Sequence, residues 1–308
     1  MRVAVVGAGA MGSVYAALLA SAGNDVVVVD AWDEHVAAIR AHGLRVEGAS
    51  GDRVVELEAR TDTAGVGPVE LVVIATKATD VRDAAAAARP LLGDDTVVLP
   101  IQNGLGSADA VAEILGEDAV VIGVAEGFGA SLVGPAHAHH HGMALVRLGE
   151  RRGPASPRVE RIADLWRAAG FTVETYDDVD RLVWQKLVCN VSFSGTCALL
   201  DLTIGEVLAD PDAWHVAAAC GSEAHAVAVA SGVDLQIEDP VAYVAAFGAR
   251  IAGARPSLAL DLRARRRTEV DVLNGAVADR APAVGVEAPV NAAVAELVRA
   301  RERLNAAA

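Results

Sequence analysis

The chain has 308 residues and a formal net charge of -15, with 53% hydrophobic, 22% charged and 4% aromatic residues. That length and apolar content suit two ordinary domains with buried cores and exclude a disordered chain. The acidic balance argues against a nucleic-acid partner, whose phosphates need clustered Lys and Arg.

Three cysteines, Cys189, Cys197 and Cys220, lack metal spacing and a neighbouring base, so they read as small core residues in a reducing compartment. No apolar run reaches the roughly 18 residues of a membrane helix. "MRVAVV" enters a strand too directly for a signal peptide. A soluble, cytoplasmic protein is expected, with no membrane partner.

In chain order, Arg2 to Val6 reads as a buried parallel strand bounded by Gly7, and Met11 to Ser21 carries apolar residues at helical spacing, closed by Gly23-Asn24. "DVVVVD", Asp25 to Asp30, is a second strand, completing a βαβ unit. A helix over "HVAAIRAHG", a hairpin-like region around "LRVEGASGDRVVELEAR" and a buried strand in "ELVVIATKA" follow. Next come an alanine-rich helix, "TVVLPIQNG" as strand and loop, "SADAVAEILG" as helix and "AVVIGVAEG" as strand. This alternation predicts a doubly wound α/β sheet, which "GMALVRLGE" near 142–150 would extend.

From Asp178 onward strand signals vanish. A domain boundary is expected near Tyr176, giving a dinucleotide-binding domain over 1–176 and an all-helical domain over 177–308. "DDVDRLVWQKLVCNVSFSGTCALLD" predicts one long helix, and "PSLALDLRARRRTEVDVLNGAVADRAPAVG" reads as helical from Pro256 to about Ala283. The basic run Arg263 to Arg267 has Asp261, Glu269 and Asp271 around it, so it reads as a solvated helix face or a phosphate contact rather than a DNA site.

Gly7, Gly9 and Gly12 form G-x-G-x-x-G between the first strand and the first helix. The first glycine permits the tight turn, the second lets the backbone approach a pyrophosphate, and the third permits close helix packing. Residues Gly7, Ala8, Gly9, Ala10, Met11 and Gly12 are therefore the candidate phosphate loop. Asp30 ends the second strand, where a carboxylate can accept from both adenosine ribose hydroxyls of NAD and repel the 2′-phosphate of NADP. The alternative is that Asp30 only caps the next turn.

With that loop, "TKATD" carrying Lys77, "IQNGLG" carrying Asn103, "WQKLVCN" carrying Lys186 and Asn190, and "PSLALDLRARRRTEVDVLNG" carrying Ser257, Asp261, Glu269 and Asn274 resemble the ketopantoate reductase (2-dehydropantoate 2-reductase) family over essentially the whole chain. The resemblance implies an N-terminal Rossmann domain and a C-terminal helical domain of the 6-phosphogluconate-dehydrogenase-like kind. It implies NAD(P)H-dependent reduction of a 2-oxo acid, with Lys186 as general acid toward the forming alkoxide. It also implies substrate contacts at Asn190 and Ser257, and cofactor contacts at Lys77, Asn103, Ala130 and Glu269. A homodimer is expected on the same ground.

Lys186, Asn190 and Ser194 share one helical stripe about 12 Å long, a candidate substrate wall. On a continuous helix Ser257 and Glu269 would lie roughly 18 Å apart. The chain departs from the family where "SGTCA" replaces "NPLTA", putting Ser194 and Gly195 there, and where Ile204 stands for an asparagine ahead of Gly205-Glu206. Two missing amides and Asp30 point toward NADH and a substrate other than ketopantoate, although ketopantoate stays the leading name. An NAD-dependent 2-hydroxyacid dehydrogenase and a non-catalytic cofactor-binding sensor are the alternatives. His137, His139, His140 and His141 read as a polar loop or strand edge rather than a metal site.

Overall fold

The computed structural model describes residues 1–127, 129–142 and 145–307; Phe128, Met143, Ala144 and Ala308 lie outside them, so two residues of the strand expected near 142–150 are not covered. The chain divides into two compact units: Met1–Gln102 with Ser107–Val179, and Asn103–Gly106 with Asp180–Ala308.

The first unit contains β1 (Arg2–Val6), α1 (Ala10–Ser21), β2 (Asp25–Val29), α2 (Asp33–His42), β3 (Leu44–Gly48), β4 (Arg53–Val55), β5 (Glu58–Arg60), β6 (Leu71–Ile74), α3 (Val81–Ala88), β7 (Val97–Pro100), α4 (Ser107–Leu115), β8 (Val121–Glu126), β9 (Gly129–Gly134), β10 (His137–Gly142), β11 (Leu145–Glu150), α5 (Pro157–Ala168) and β12 (Val173–Thr175). Five strands form a parallel sheet in the order β5-β2-β1-β6-β7. Val3, Val5, Leu71, Val73 and Leu99 are fully buried, as β-branched and leucine side chains must be in a sheet covered on both faces. On α1, Tyr15 packs on Trp166 of α5, ring centroids 5.0 Å apart, and on Phe171, at 6.0 Å.

Three details differ from the sequence expectation. The region read as a hairpin contributes β3 and β4 as an antiparallel pair, but β5 leaves it and joins the parallel sheet beside β2. Strand β11 does not extend that sheet; it pairs antiparallel with β8 and parallel with β12, and among the described residues a bridge between Val98 and Val120 links the two sheets. The histidine run is neither loop nor edge, because β10 is an inner strand of a sheet ordered β4-β3-β10-β9. Alternation puts His137 and His139 on one face, where their ring nitrogens lie 3.3 and 3.6 Å from Glu47 Oε1. His140 points the other way, fully buried, with Nδ1 3.0 Å from Ser50 Oγ. Burial lowers its pKa, so it sits there neutral.

The second unit is helical: α6 (Val179–Leu200, whose first residue groups with the first unit), α7 (Ile204–Ala209), α8 (Pro211–Ala230), α9 (Pro240–Arg250), α10 (Ser257–Arg263), α11 (Asn274–Arg280) and α12 (Pro289–Ala307). Its core gathers Leu187, Val188 and Val191 of α6, Cys220 and Ala224 of α8, Val277 of α11 and Val294 of α12. Cys189, Cys197 and Cys220 are all buried free thiols, and burial pushes Cys197 and Cys220 up to about 12, which leaves them unreactive.

A buried amide chain pins these helices. Asn274 Nδ2 donates to Val191 O at 3.0 Å and Asn291 Oδ1 at 2.9 Å, and Asn291 Nδ2 donates to Cys220 O at 3.0 Å and Glu223 Oε2 at 2.8 Å. The Glu223 carboxylate also accepts the backbone N–H groups of Val290 and Asn291, each at 2.9 Å, capping α12 from α8.

The segment from Pro256 to Ala283 is not one helix. It stops at Arg263, and Arg265 turns the chain at φ 55°. Arg266 N–H donates to Asp261 O at 2.8 Å and Arg265 N–H to Leu262 O at 3.1 Å, a Schellman closure with arginine where glycine is usual. The reason is the charge run itself, since consecutive arginines give a helix no apolar stripe to bury. Arg263, Arg266 and Arg267 instead pair with Asp201, Asp261 and Asp271. Among the described residues no helix is long and apolar enough to cross a membrane.

At the end of β11, Glu150 accepts from Arg158 Nε at 2.8 Å and from the Ser156 hydroxyl, anchoring the start of α5. Burial pushes its carboxyl up, but the guanidinium and hydroxyl outweigh it, so the pKa lies below the ordinary value. Such a group stabilises the fold above the unfolded carboxylate pKa of about 4.3 and loses that contribution as pH falls through its folded value. Glu150→Gln is expected to cost about 1 kcal/mol at pH 7, discounted because the Arg158 side chain is 32% exposed. In thermal melts the gap between wild type and variant should close on acidification to about pH 3; an equal gap at both pH values would show that the charge is not its source.

Candidate functional site

On the first unit the phosphate loop is built by close approach. Gly7 holds φ 95°, and a Cβ there would meet Thr76 N at 2.5 Å; a Cβ on Gly12 would lie 1.8 Å from Gly7 O. These two positions therefore exclude any side chain, which seats the start of α1 directly against the end of β1. Gly9 differs, because a Cβ there would meet nothing within 4 Å. Helix α1 begins at Ala10 with no side-chain cap and no acidic residue in its first turn. A helix start leaves its leading N–H groups without intrahelical partners, and the uncrowded Cβ position of Gly9 leaves room beside them for a phosphate. Ala8 is buried and Met11 packs partly on the core, so only part of the loop is accessible.

Asp30, half-buried just after β2, accepts from Ala8 N–H through Oδ2 at 2.6 Å and from Trp32 N–H through Oδ1 at 2.9 Å. It thus caps the following turn and also clamps the glycine loop. Each oxygen keeps a second lone-pair direction, so a ribose hydroxyl can still donate to either.

At the carboxyl ends of β6 and β7, Gln102 was not singled out from the sequence, although it adjoins Asn103. Its Nε2 donates to Ile74 O at 2.6 Å and Thr76 O at 3.2 Å, stapling the two strand ends. Gln102 Oε1 and Thr76 Oγ1 are buried with no hydrogen-bond partner among the described residues, as expected where a polar ligand completes the set. The signal available in the sequence was an amide just beyond a fully buried strand. Lys77 is exposed at the start of a 3-10 turn, Ala78–Asp80. Ala130 sits in β9 opposite His140 and packs partly on the first unit's core. Asn103 groups with the second unit, where Leu105 N–H donates to Val272 O at 2.9 Å.

On the second unit Lys186 and Asn190 are half-buried and Ser194 is 5% exposed, all on the unbroken helix α6. An ammonium, an amide and a hydroxyl at successive four-residue steps form a stripe that can neutralise an oxyanion, orient its carrier and return a proton. Gly195 has a structural task, since a Cβ would lie 2.3 Å from Val294 Cγ1 and 3.2 Å from Asn274 Oδ1. Ile204 is 3% exposed in the apolar core, and the adjoining Glu206 closes a capping box with Thr203.

Ser257 is exposed at the first position of α10, whereas Glu269 is 8% exposed beyond the helix break. Their expected 18 Å helical spacing does not hold, because the Arg265 turn intervenes.

Residues 3–153 match the family model for ketopantoate reductase PanE/ApbA, and residues 178–302 match its C-terminal companion. A 2-dehydropantoate 2-reductase of Streptococcus pyogenes serotype M6 is 32% identical over 303 residues, 98% of each chain. The crystal structure of a PanE/ApbA family ketopantoate reductase from Ralstonia eutropha JMP134 superposes with a TM-score of 0.91 at 33% identity, covering 99% of each chain. D-mandelate dehydrogenase, in a ternary structure with NADH and anilino(oxo)acetate, superposes with a TM-score of 0.92 at 27% identity and the same coverage.

Two alanine substitutions separate binding from folding in the loop. Gly9→Ala is expected to leave Tm unchanged, since its Cβ meets no protein atom, while weakening NADH on the order of 10-fold by occupying the phosphate's place. Gly12→Ala is expected to cost about 1–3 kcal/mol of stability or more through the backbone clash. Isothermal titration and melting of both variants check this; full-strength NADH binding by Gly9→Ala would remove the loop from the site.

Proposed function

The chain belongs to the ketopantoate reductase family, and from that premise we propose that it reduces ketopantoate or a closely related 2-oxo acid to the 2-hydroxy acid, using NADH in preference to NADPH. The Asp30 carboxylate carries the cofactor preference. It is fixed by the N–H groups of Ala8 and Trp32, with acceptor capacity left for ribose hydroxyls and a charge that repels a 2′-phosphate. Asp33 and Glu34 follow it, and Arg40 on α2 is the first arginine downstream; Arg60, whose carbonyl accepts Asp30 N–H at 3.0 Å, is the neighbouring guanidinium and is engaged by Glu58 Oε1 and Ala64 O.

A bound dihydronicotinamide supplies the hydride. Gly7, Gly9 and Gly12 with the N–H groups of Ala10 and Met11 hold its pyrophosphate, and Lys77, Asn103, Ala130 and Glu269 are assigned to the rest of the cofactor. Lys186 places its ammonium at the carbonyl oxygen, neutralises the alkoxide as charge develops and gives it the proton from Nζ. Asn190 and Ser194 orient the substrate from the same helix, and Ser257 receives its carboxylate. The bulk of the pocket is set by Ser194 in place of an asparagine, which favours a larger or less polar acid as the second reading. We assign the protein to the cytoplasm and to pantothenate biosynthesis, and as a homodimer, which light scattering would show as twice the chain mass.

Steady-state oxidation of NADH and NADPH with ketopantoate and a panel of branched and aromatic 2-oxo acids tests the assignment. NADH is expected to be preferred, Asp30→Ala to narrow the preference, and Lys186→Ala to lower kcat about 10²–10⁴-fold with NADH affinity unchanged. A strong NADPH preference in wild type would overturn the reading of Asp30. Preference for an aromatic acid would move the substrate to the second reading, and full activity of Lys186→Ala would refute its role as the acid.

A further inference from the structure

An exposed indole stands beside the carboxylate assigned to the ribose. Trp32 is 38% exposed, while Trp166 and Trp184 are 0% and 3% exposed, so its position at the surface is not a consequence of indole chemistry, which favours burial. Two contacts fix it there, and the second is to a ring that is itself anchored. Its N–H is donated to Asp30 Oδ1 at 2.9 Å, which ties its backbone to the turn. Its ring lies nearly parallel to the His35 imidazole, at 12° with centroids 5.1 Å apart. His35 is itself fully buried, with Nδ1 accepting Ala136 N–H at 3.0 Å. One face of the indole is thus backed by a rigid ring, although the residue keeps a substantial surface in solvent.

Burial lowers the His35 pKa against the pull of Asp30, so the backing ring is neutral at pH 7 and adds no charge to attract a phosphate. Asp33 and Glu34, both exposed in the first turn of α2, make the rim acidic. The ligand that suits this surface is flat, aromatic and uncharged, and the base carried by a ribose bound at Asp30 has that character. We propose that the Trp32 indole, seated on His35, is the stacking platform for the adenine ring of the dinucleotide and, with Asp30, a determinant of which cofactor is held. This rests on the oxidoreductase reading above, which fixes the ligand but does not name this residue.

The probe is ADP-ribose, which carries the adenosine half without the nicotinamide, compared with reduced nicotinamide mononucleotide, which carries the other half alone. In wild type, ADP-ribose is expected to quench part of the indole emission. Trp32→Phe should keep ADP-ribose affinity within about 3-fold while losing most of that quench, and Trp32→Ala should weaken ADP-ribose and NADH by about 10-fold or more, the scale of one lost base stack. Mononucleotide affinity and Tm should stay unchanged in both variants. Wild-type ADP-ribose affinity in Trp32→Ala, or an equal loss for the mononucleotide, would overturn the platform while leaving the reductase assignment standing. Wild-type protein that binds neither NADH nor NADPH would overturn both.

Discussion

The first unit depends on the contact between Gly12 and the carbonyl of Gly7, where a single added carbon would sit 1.8 Å from oxygen. No other residue type allows α1 to start so close to the end of β1. Once it does, the helix starts beside the uncrowded position of Gly9, and the fully buried parallel strands beneath give the loop a rigid floor. Asp30 closes the arrangement from β2 by accepting Ala8 N–H. The phosphate recognition proposed for this unit would therefore rest on backbone packing, with side chains serving mainly to hold the backbone still.

Asp30 also shows why one residue can satisfy two readings. A carboxylate has about four acceptor directions, and two of them are used within the protein, by Ala8 and Trp32. Capping the turn is therefore compatible with the ribose contact proposed for this residue. The same turn positions Trp32 on His35, so one carboxylate organises both the glycine loop and the neighbouring aromatic surface.

In the second unit, position is set by buried amides rather than by glycine alone. Asn274 reaches the α6 backbone at Val191, one residue after Asn190, and Gly195 leaves the space that Asn274 and Val294 need. The family departure at Ser194-Gly195 is thus partly a packing change, in which α6 approaches α11 and α12 closely. Ile204 is likewise a core residue here, carried into the apolar cluster at the start of α7. A sequence comparison records both as lost polar groups, while the fold shows that one of them has become hydrophobic contact.

The sequence alone determined the features that depend on local rules: the βαβ start with its glycine spacing, the buried valine strands, the long α6 and with it the common stripe of Lys186, Asn190 and Ser194. Periodicity and turn chemistry act within a few residues, so they can be read without a fold. Tertiary structure decided what depends on partners far along the chain. Strand β5 joins β2 rather than its own hairpin because the open edge of the parallel sheet lies there. The histidines of β10 become an inner strand because β3 and β9 flank it. The helix after Pro256 ends at Arg263 because its arginines find Asp201, Asp261 and Asp271, and no local signal marks Arg265 as its left-handed terminus. Gln102, Trp32 and Asn274 acquired their positions in the same way, since a hydrogen bond or ring stack needs the partner's place in space, and one-dimensional spacing does not contain it.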